Sequence, residues 1–101
     1  MERKLQSEII KYLKSKGAYV IKTRPQPGTP SGCPDIIALY RGRYTALEVK
    51  ADEKSPNRPG QLETLLLLSE HNDFVYRVHP DNWPDVRAEL ENKFFQSAYG
   101  Q

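Results

Sequence analysis

The sequence contains little cysteine and no long apolar run, and both absences narrow the possible classes of protein. A single cysteine, Cys33, cannot form an intramolecular disulfide and is too few for a cysteine-based zinc site. No stretch of 18 apolar residues is present, so the sequence predicts no membrane-spanning helix. The first residues also lack the apolar segment of a secretory signal, and we therefore expect a cytoplasmic protein.

The charges are distributed unevenly along a chain of 101 residues, which is long enough for one compact domain over 1–101. Residues 1–60 hold twelve Lys and Arg against six Asp and Glu, whereas residues 61–101 hold three against seven. A basic half favours a polyanionic partner such as nucleic acid, because Lys and Arg beside phosphates release condensed counterions. An unevenly charged, solvated surface is the alternative interpretation.

Hydrophobic spacing and turn residues predict an α/β domain with the order helix, three strands, helix, strand, helix, and a frayed tail over 96–101. The predicted elements are a helix over 3–16, strands over 18–21, 35–40 and 44–50, a helix over 61–70, a strand over 74–78 and a helix from Asp81 or Asn82 towards Phe94. The strands on both sides of 41–43 are apolar at most positions, which predicts a β-hairpin within a mixed sheet flanked by helices on both faces. The leucine run 65–68 is expected to lie mostly in the core, with part of it as an alternative dimer face.

Three charged residues are predicted to converge at the open end of this hairpin. If the hairpin turns so that Tyr40 faces Arg43, Asp35 falls directly opposite Glu48 in the ladder. Lys50 lies two residues beyond Glu48 and therefore shares its face of the sheet. A shift of one residue in the turn would move Asp35 off that face, so the prediction depends on the register.

Two neighbouring carboxylates and an ammonium group can form a metal-dependent hydrolytic site. Asp35 and Glu48 would repel each other unless a cation lay between them, and Mg²⁺ or Mn²⁺ with oxygen ligands resolves that conflict. The carbonyl of Val49 could supply a further oxygen. Such a metal lowers the pKa of a bound water and polarises a phosphate, while Lys50 orients or deprotonates the water. A surface salt bridge among the charged side chains is the alternative.

The same residues carry a resemblance to a known family. Gly32-Cys33-Pro34-Asp35, an apolar hairpin and then Glu48-Val49-Lys50 resemble the signature of the PD-(D/E)XK nucleases, whose core is that of restriction endonucleases. Over roughly residues 5–90 the chain is most similar to the small stand-alone VRR-NUC domains of phages and bacteria. It also resembles archaeal-type Holliday-junction resolvases. The resemblance implies a location in a bacterial or phage-infected cell.

The resemblance implies two further site residues. Glu8, on the first helix, would complete the metal shell, and Gln61 would position water or phosphate at the start of the second long helix. Alternatively, Glu8 is a solvated charge on the helix, and Gln61 is an ordinary polar residue of the first helical turn. Arg58 and Gly60 depart from the family pattern, in which a serine cap and a helix-favouring residue are commoner at these places.

Residues and resemblance together predict a Mg²⁺- or Mn²⁺-dependent endonuclease that cleaves branched DNA, such as a Holliday junction, in repair or recombination. The resemblance also implies a homodimer. A catalytically silent DNA-binding module and an interaction subunit with the same fold are the alternatives. The basic residues expected to bind the DNA backbone, each of which could also be a solvated charge, are Lys22, Arg24, Arg41, Arg43, Lys54 and Arg58.

Overall fold

The predicted order of elements is confirmed by a computed structural model, which describes residues 3–23, 28, 32–57 and 59–96. Its helices and strands are α1 (Arg3–Ser15), β1 (Tyr19–Lys22), β2 (Ile36–Tyr40), β3 (Arg43–Val49), α2 (Gln61–His71), β4 (Val75–Val78) and α3 (Trp83–Glu89), which continues as a π-helical turn over Leu90–Phe94. The observed bounds differ from the expected ones by one or two residues, apart from the π-helical turn, which sequence patterns did not predict. None of the described helices is long and apolar enough to cross a membrane.

The four strands form one mixed sheet in the order β1-β2-β3-β4. The first three strands are antiparallel neighbours, and β4 runs parallel to β3, so α2 is the crossover between them. Tyr40 pairs with Arg43 and Ile36 pairs with Leu47, which is the register expected for the hairpin. The side chains therefore alternate between the two faces as predicted.

One face of the sheet, the core face, packs against α1 and α3. The core face is formed by Ile36, Ala38, Leu47, Val49 and Val78, which belong to one buried cluster with apolar residues of both helices. In α1 these residues recur at the spacing of one helical face, and they are Leu5, Ile9 and Leu13. Gly17, with φ of 91°, follows α1 in a conformation that favours glycine.

The opposite face, the site face, is covered over β3 and left open over β1. Ala46 on this face is 1% exposed, whereas Tyr19, Ile21 and Leu39 are 71%, 41% and 45% exposed. The predicted mixed sheet flanked by helices is confirmed, and on the site face the helical cover does not extend over β1. The crossover helix α2 packs beside β4 and contacts β3 through Gln61 and Glu48, at the side of the sheet away from β1.

The leucine run in α2 faces solvent more than the sequence suggested. Leu65 is 8% exposed, but Leu66 and Leu67 are each 59% exposed. A helix completes one turn every 3.6 residues, so four consecutive side chains point in all directions around it. One neighbouring sheet therefore cannot bury four consecutive leucines. The expectation that this run lies mostly in the core is wrong.

Candidate active site

Asp35 lies at the end of the sheet, immediately before β2, and is held from both neighbouring strands. The backbone N–H of Val49 donates to Asp35 Oδ2 at 2.9 Å. On the other side, the N–H of Thr23 donates to the carbonyl of Asp35 at 2.9 Å, and Thr23 Oγ1 donates to the carbonyl of Pro34 at 2.5 Å. These contacts place the Asp35 carboxylate beside the Glu48-Val49-Lys50 end of β3.

Glu48 and Lys50 form an ion pair in the interior of the protein. Lys50 Nζ lies 3.4 Å from Glu48 Oε2, and the two residues are 8% and 2% exposed. The alternative of a surface salt bridge is therefore wrong for this pair, because both side chains are buried. Removing two charges from water costs several kcal/mol per ion, which only good hydrogen bonding offsets.

Gln61 supplies that hydrogen bonding to both members of the pair. Its Oε1 accepts from Lys50 Nζ at 2.7 Å, and its Nε2 donates to Glu48 Oε2. Gln61 itself is fully buried, and the carbonyl of Pro56 accepts a second bond from Lys50 Nζ at 3.0 Å. An amide side chain offers a donor and an acceptor at once, so it can join a carboxylate to an ammonium without adding charge.

Two glycines bring the loop before Asp35 against the start of α2. Gly32 and Gly60 both have φ of 80°, in the left-handed region. A Cβ atom at Gly32 would overlap the carbonyl of Gly60 and the backbone nitrogen of Gln61. Gly60 departs from the family pattern, but its positive φ lets the chain enter α2 with Gln61 facing the buried ion pair.

Arg77 on β4 anchors the loop that follows Lys50, and sequence reasoning did not identify it. Its Nη1 donates to the carbonyl of Glu53 at 3.2 Å, its Nε donates to Asn57 Oδ1 at 3.2 Å, and its Nη2 donates to the carbonyl of Ser55. Arg77 pairs with Glu48 across the β3–β4 ladder. One charged residue within the apolar strand 74–78 is the signal that could have drawn attention to it.

Glu8 is exposed on α1, and its carboxylate is bound by an aromatic side chain. Trp83 Nε1 donates to Glu8 Oε2 at 3.0 Å. In the parts of the chain that the structure describes, no three His, Cys, Asp or Glu side chains gather closely enough to hold a metal together. Glu8 therefore does not join Asp35 and Glu48 in one ligand set here, and its expected metal role stays a prediction.

The oxygen atoms available at this end of the sheet suit a hard divalent cation. Asp35, Glu48 and the carbonyl of Val49 offer oxygen ligands only. Mg²⁺ is commonly bound by one or two carboxylates and completes its shell with waters and substrate phosphates, so two carboxylates suffice. The residues present fit Mg²⁺ or Mn²⁺.

Two of the predicted DNA-binding residues lie near this end of the sheet. Lys22 is exposed and pairs with Ile36, next to Asp35. Lys54 is exposed in the loop after Lys50, where its N–H donates to Asp52 Oδ1 at 2.8 Å. Their role as DNA contacts stays a prediction.

Two further predicted DNA contacts, Arg41 and Arg43, are not gathered around the site. Arg41 lies in the turn of the hairpin, and Arg43 begins β3, about 17 Å from Glu48 by the ordinary rise of a strand. Arg43 donates to the carbonyls of Lys93 and Gln96 at 3.1 and 2.6 Å, so its guanidinium is engaged by the chain itself. The other two predicted contacts, Arg24 and Arg58, lie outside the described residues.

Comparisons with known proteins agree with this fold. Neither protein-family models nor curated proteins yield a match to the chain. A solved structure described as a VRR_NUC domain is similar, with 26% sequence identity and a TM-score of 0.72. The similarity covers 91% of this chain and 96% of the other.

Proposed function

The similarity assigns the chain to the VRR-NUC family, and from that premise we propose that it is a metal-dependent endonuclease that hydrolyses DNA phosphodiester bonds. The observation that carries the proposal is the buried arrangement of Glu48, Gln61 and Lys50 beside Asp35. A nuclease-type domain follows from the fold, and metal dependence and substrate are the proposed part.

Each site residue has a chemical task in this proposal. Asp35, Glu48 and the Val49 carbonyl would hold Mg²⁺ or Mn²⁺, which supplies a water of lowered pKa and a counter-charge to the phosphate. Lys50, aligned by the amide of Gln61, orients that water and offsets the negative charge of the transition state. Gln61 holds the ammonium group in place and offers a polar contact to water or phosphate.

The burial of Lys50 favours catalysis over a binding-only role. A module that only binds DNA uses exposed cations, which contact phosphates without losing their hydration before the complex forms. Here Lys50 is 8% exposed, and its ammonium group is held by Glu48, Gln61 and the Pro56 carbonyl. That arrangement costs desolvation energy and serves the alignment of a reacting group.

Branched DNA is the proposed substrate, and a homodimer is the proposed active form. The open part of the site face exposes Tyr19, Ile21 and Leu39 as an apolar surface on the edge of the sheet. A second copy of the chain that covers this surface would provide two sites, as paired cuts in a four-way junction require. Such an enzyme would act in DNA repair or recombination, and the expected cytoplasmic location stays a prediction.

Cleavage of labelled DNA tests the proposal. Wild type is expected to cut a four-way junction more efficiently than a flap or a linear duplex with Mg²⁺ or Mn²⁺, and EDTA should abolish cutting. Lys50→Ala and Asp35→Asn are each expected to lower kcat by about 10² or more, because each removes a group that acts on the reacting phosphate. Lys14→Ala, at an exposed lysine of α1, is the matched control and should retain wild-type activity.

Two other outcomes would reject the proposal. Cutting that survives EDTA, or that persists in Lys50→Ala and Asp35→Asn, would place the activity elsewhere or in a contaminant. Tight binding to the junction with no cutting of any substrate would identify a DNA-binding module with a nuclease fold.

A further inference from the structure

We propose that Arg77 is a positioning residue: it fixes the loop that follows Lys50, and this loop fixes the direction of the Lys50 ammonium group. The loop over residues 51–57, the clamp loop, carries the Pro56 carbonyl, which accepts a hydrogen bond from Lys50 Nζ. Arg77 holds the clamp loop from β4. The inference rests on the proposed function, because it takes Lys50 as the group that orients the attacking water.

Arg77 binds the clamp loop on both sides of Pro56. Its guanidinium donates to the carbonyl of Glu53 at 3.2 Å, to the carbonyl of Ser55, and to Asn57 Oδ1 at 3.2 Å. Pro56 itself has no N–H, so it cannot donate a backbone hydrogen bond that would fix its own position. The position of its carbonyl therefore depends on its neighbours Ser55 and Asn57, which Arg77 holds.

Hydrogen bonds within the clamp loop hold its first half. Asp52 Oδ1 accepts from the N–H of Lys54 at 2.8 Å, and the carbonyl of Asp52 accepts from the N–H of Ser55 at 3.3 Å. These bonds form a turn without any atom of Arg77. Loss of the Arg77 side chain should therefore release the half that carries Pro56 and leave the turn that carries Lys54 in place.

Two acceptors on different elements orient the Lys50 ammonium group. Gln61 Oε1, at the start of α2, lies 2.7 Å from Lys50 Nζ, and the Pro56 carbonyl lies 3.0 Å from it. An ammonium group has three donors that rotate together, so two fixed acceptors determine where the third donor points. Glu48 Oε2, at 3.4 Å, is the third neighbour of Nζ. Without the Pro56 carbonyl, the group could rotate away from the carboxylate at which we propose that the metal binds.

Arg77 stands beside Glu48 on the sheet, yet its hydrogen bonds go to the clamp loop. The two residues are partners in the parallel β3–β4 ladder. Among the described residues, Glu48 forms its ion pair with Lys50 and accepts a hydrogen bond from Gln61. A guanidinium group is a rigid, planar fork that can bind several acceptors at once. Here that fork is used on the loop, and its task is to hold the loop in place.

Cleavage of junction DNA with Mg²⁺ under single turnover tests the inference in two backgrounds. Arg77→Ala should lower the maximal rate about tenfold and leave the half-saturating protein concentration unchanged, because the change misaligns the reacting group and spares DNA binding. In a Lys50→Ala background the same change should have no further effect, since a residue that acts through Lys50 has nothing left to position. A residue that only stabilises the fold would lower the rate in both backgrounds.

Arg87→Ala is the matched control, because it removes the same charge from an exposed position of α3, which packs on the core face. It should cut at the wild-type rate. Arg77→Lys keeps the charge and loses the fork, so it should remain nearly as slow as Arg77→Ala. A wild-type rate in Arg77→Lys would show that the charge of Arg77 matters and its hold on the loop does not.

If Arg77→Ala fails to fold by circular dichroism, Asn57→Ala decides the question, since it removes one exposed acceptor of Arg77 and leaves β4 intact. It should lower the maximal rate about threefold, the effect of one net hydrogen bond, and only when Lys50 is present. A wild-type rate in Arg77→Ala, or an equal slowing in the Lys50→Ala background, overturns this inference alone. No cutting by wild type overturns the proposed function, and this inference with it.

Discussion

At the scale of single residues, a phenol–carboxylate contact joins β4 to α3. Tyr76 Oη donates to Glu89 Oε2 at 2.5 Å. Burial, together with this hydrogen bond and the nearby carboxylate charge, raises the pKa of Tyr76 well above its ordinary value near 10. The folded protein therefore favours the neutral phenol, and ionisation of the unfolded chain at high pH works against folding.

Tyr76→Phe is expected to lower the free energy of unfolding at neutral pH by about 1 kcal/mol, through loss of one hydrogen bond. Because the folded pKa is raised, the stabilisation is present below about pH 10 and is lost as pH rises beyond it. The variant should therefore lose stability less steeply above pH 10, as urea denaturation at several pH values would measure. Tyr19→Phe, at a tyrosine that is 71% exposed, should follow wild type. An alkaline decline equally steep in Tyr76→Phe would contradict the assignment.

At the scale of elements, the hairpin could be predicted from sequence and the approach of α2 could not. Strand periodicity and a short turn are local features of the sequence. They were therefore enough to predict that Asp35 and Glu48 lie at the same end of β2 and β3. The contact of Gly32 with Gly60 joins residues far apart in sequence, and no local pattern indicates it. The same holds for Arg77, whose partners lie in the loop after Lys50.

Gly32→Ala is expected to lower cleavage at least tenfold, because the new methyl group would push the start of α2, and with it Gln61, away from Lys50. The matched control is Gly42→Ala, since Gly42 has φ of 82° and open space around its Cβ position. Both variants carry the strain of a positive φ, about 1 kcal/mol. Cleavage assays and thermal unfolding, measured on both variants, separate the displacement of α2 from the strain of the positive φ. Equal activity of the variants would show that the glycine contact does not align the site.

At the scale of the whole molecule, the sheet has a covered half and an open half. Sequence patterns predicted helices on both faces, and apolar strands alone cannot distinguish burial by a helix from burial by another chain. The leucine run of α2 raises the same ambiguity, since apolar residues on all sides of a helix do not say which side is covered. Only the placement of α2 beside β4, with Gln61 against Glu48 of β3, shows which apolar residues remain exposed.

Leu39→Lys is expected to convert the proposed homodimer into a monomer, because it places a charge within the exposed apolar surface of β1 and β2. Sedimentation velocity over a range of concentrations, with and without junction DNA, measures the change. Ala88→Lys adds the same charge at an exposed position of α3, which packs on the other face, and should remain dimeric. A wild type that sediments as a monomer even on DNA would reject the homodimer.

The hydrogen bonds of the site and those that join α1 to α3 span very different lengths of chain. Those that assemble Asp35, Glu48, Lys50 and Gln61 join residues 11 to 14 positions apart, whereas the bond from Trp83 to Glu8 spans 75 positions. Closing the longer loop costs about 1.5 kcal/mol more in chain entropy. The site is thus a local structure, whereas the bond between Trp83 and Glu8 forms only when distant parts of the chain meet. Partial unfolding that separates α1 from α3 would release Glu8 first and leave the hairpin and the start of α2 together.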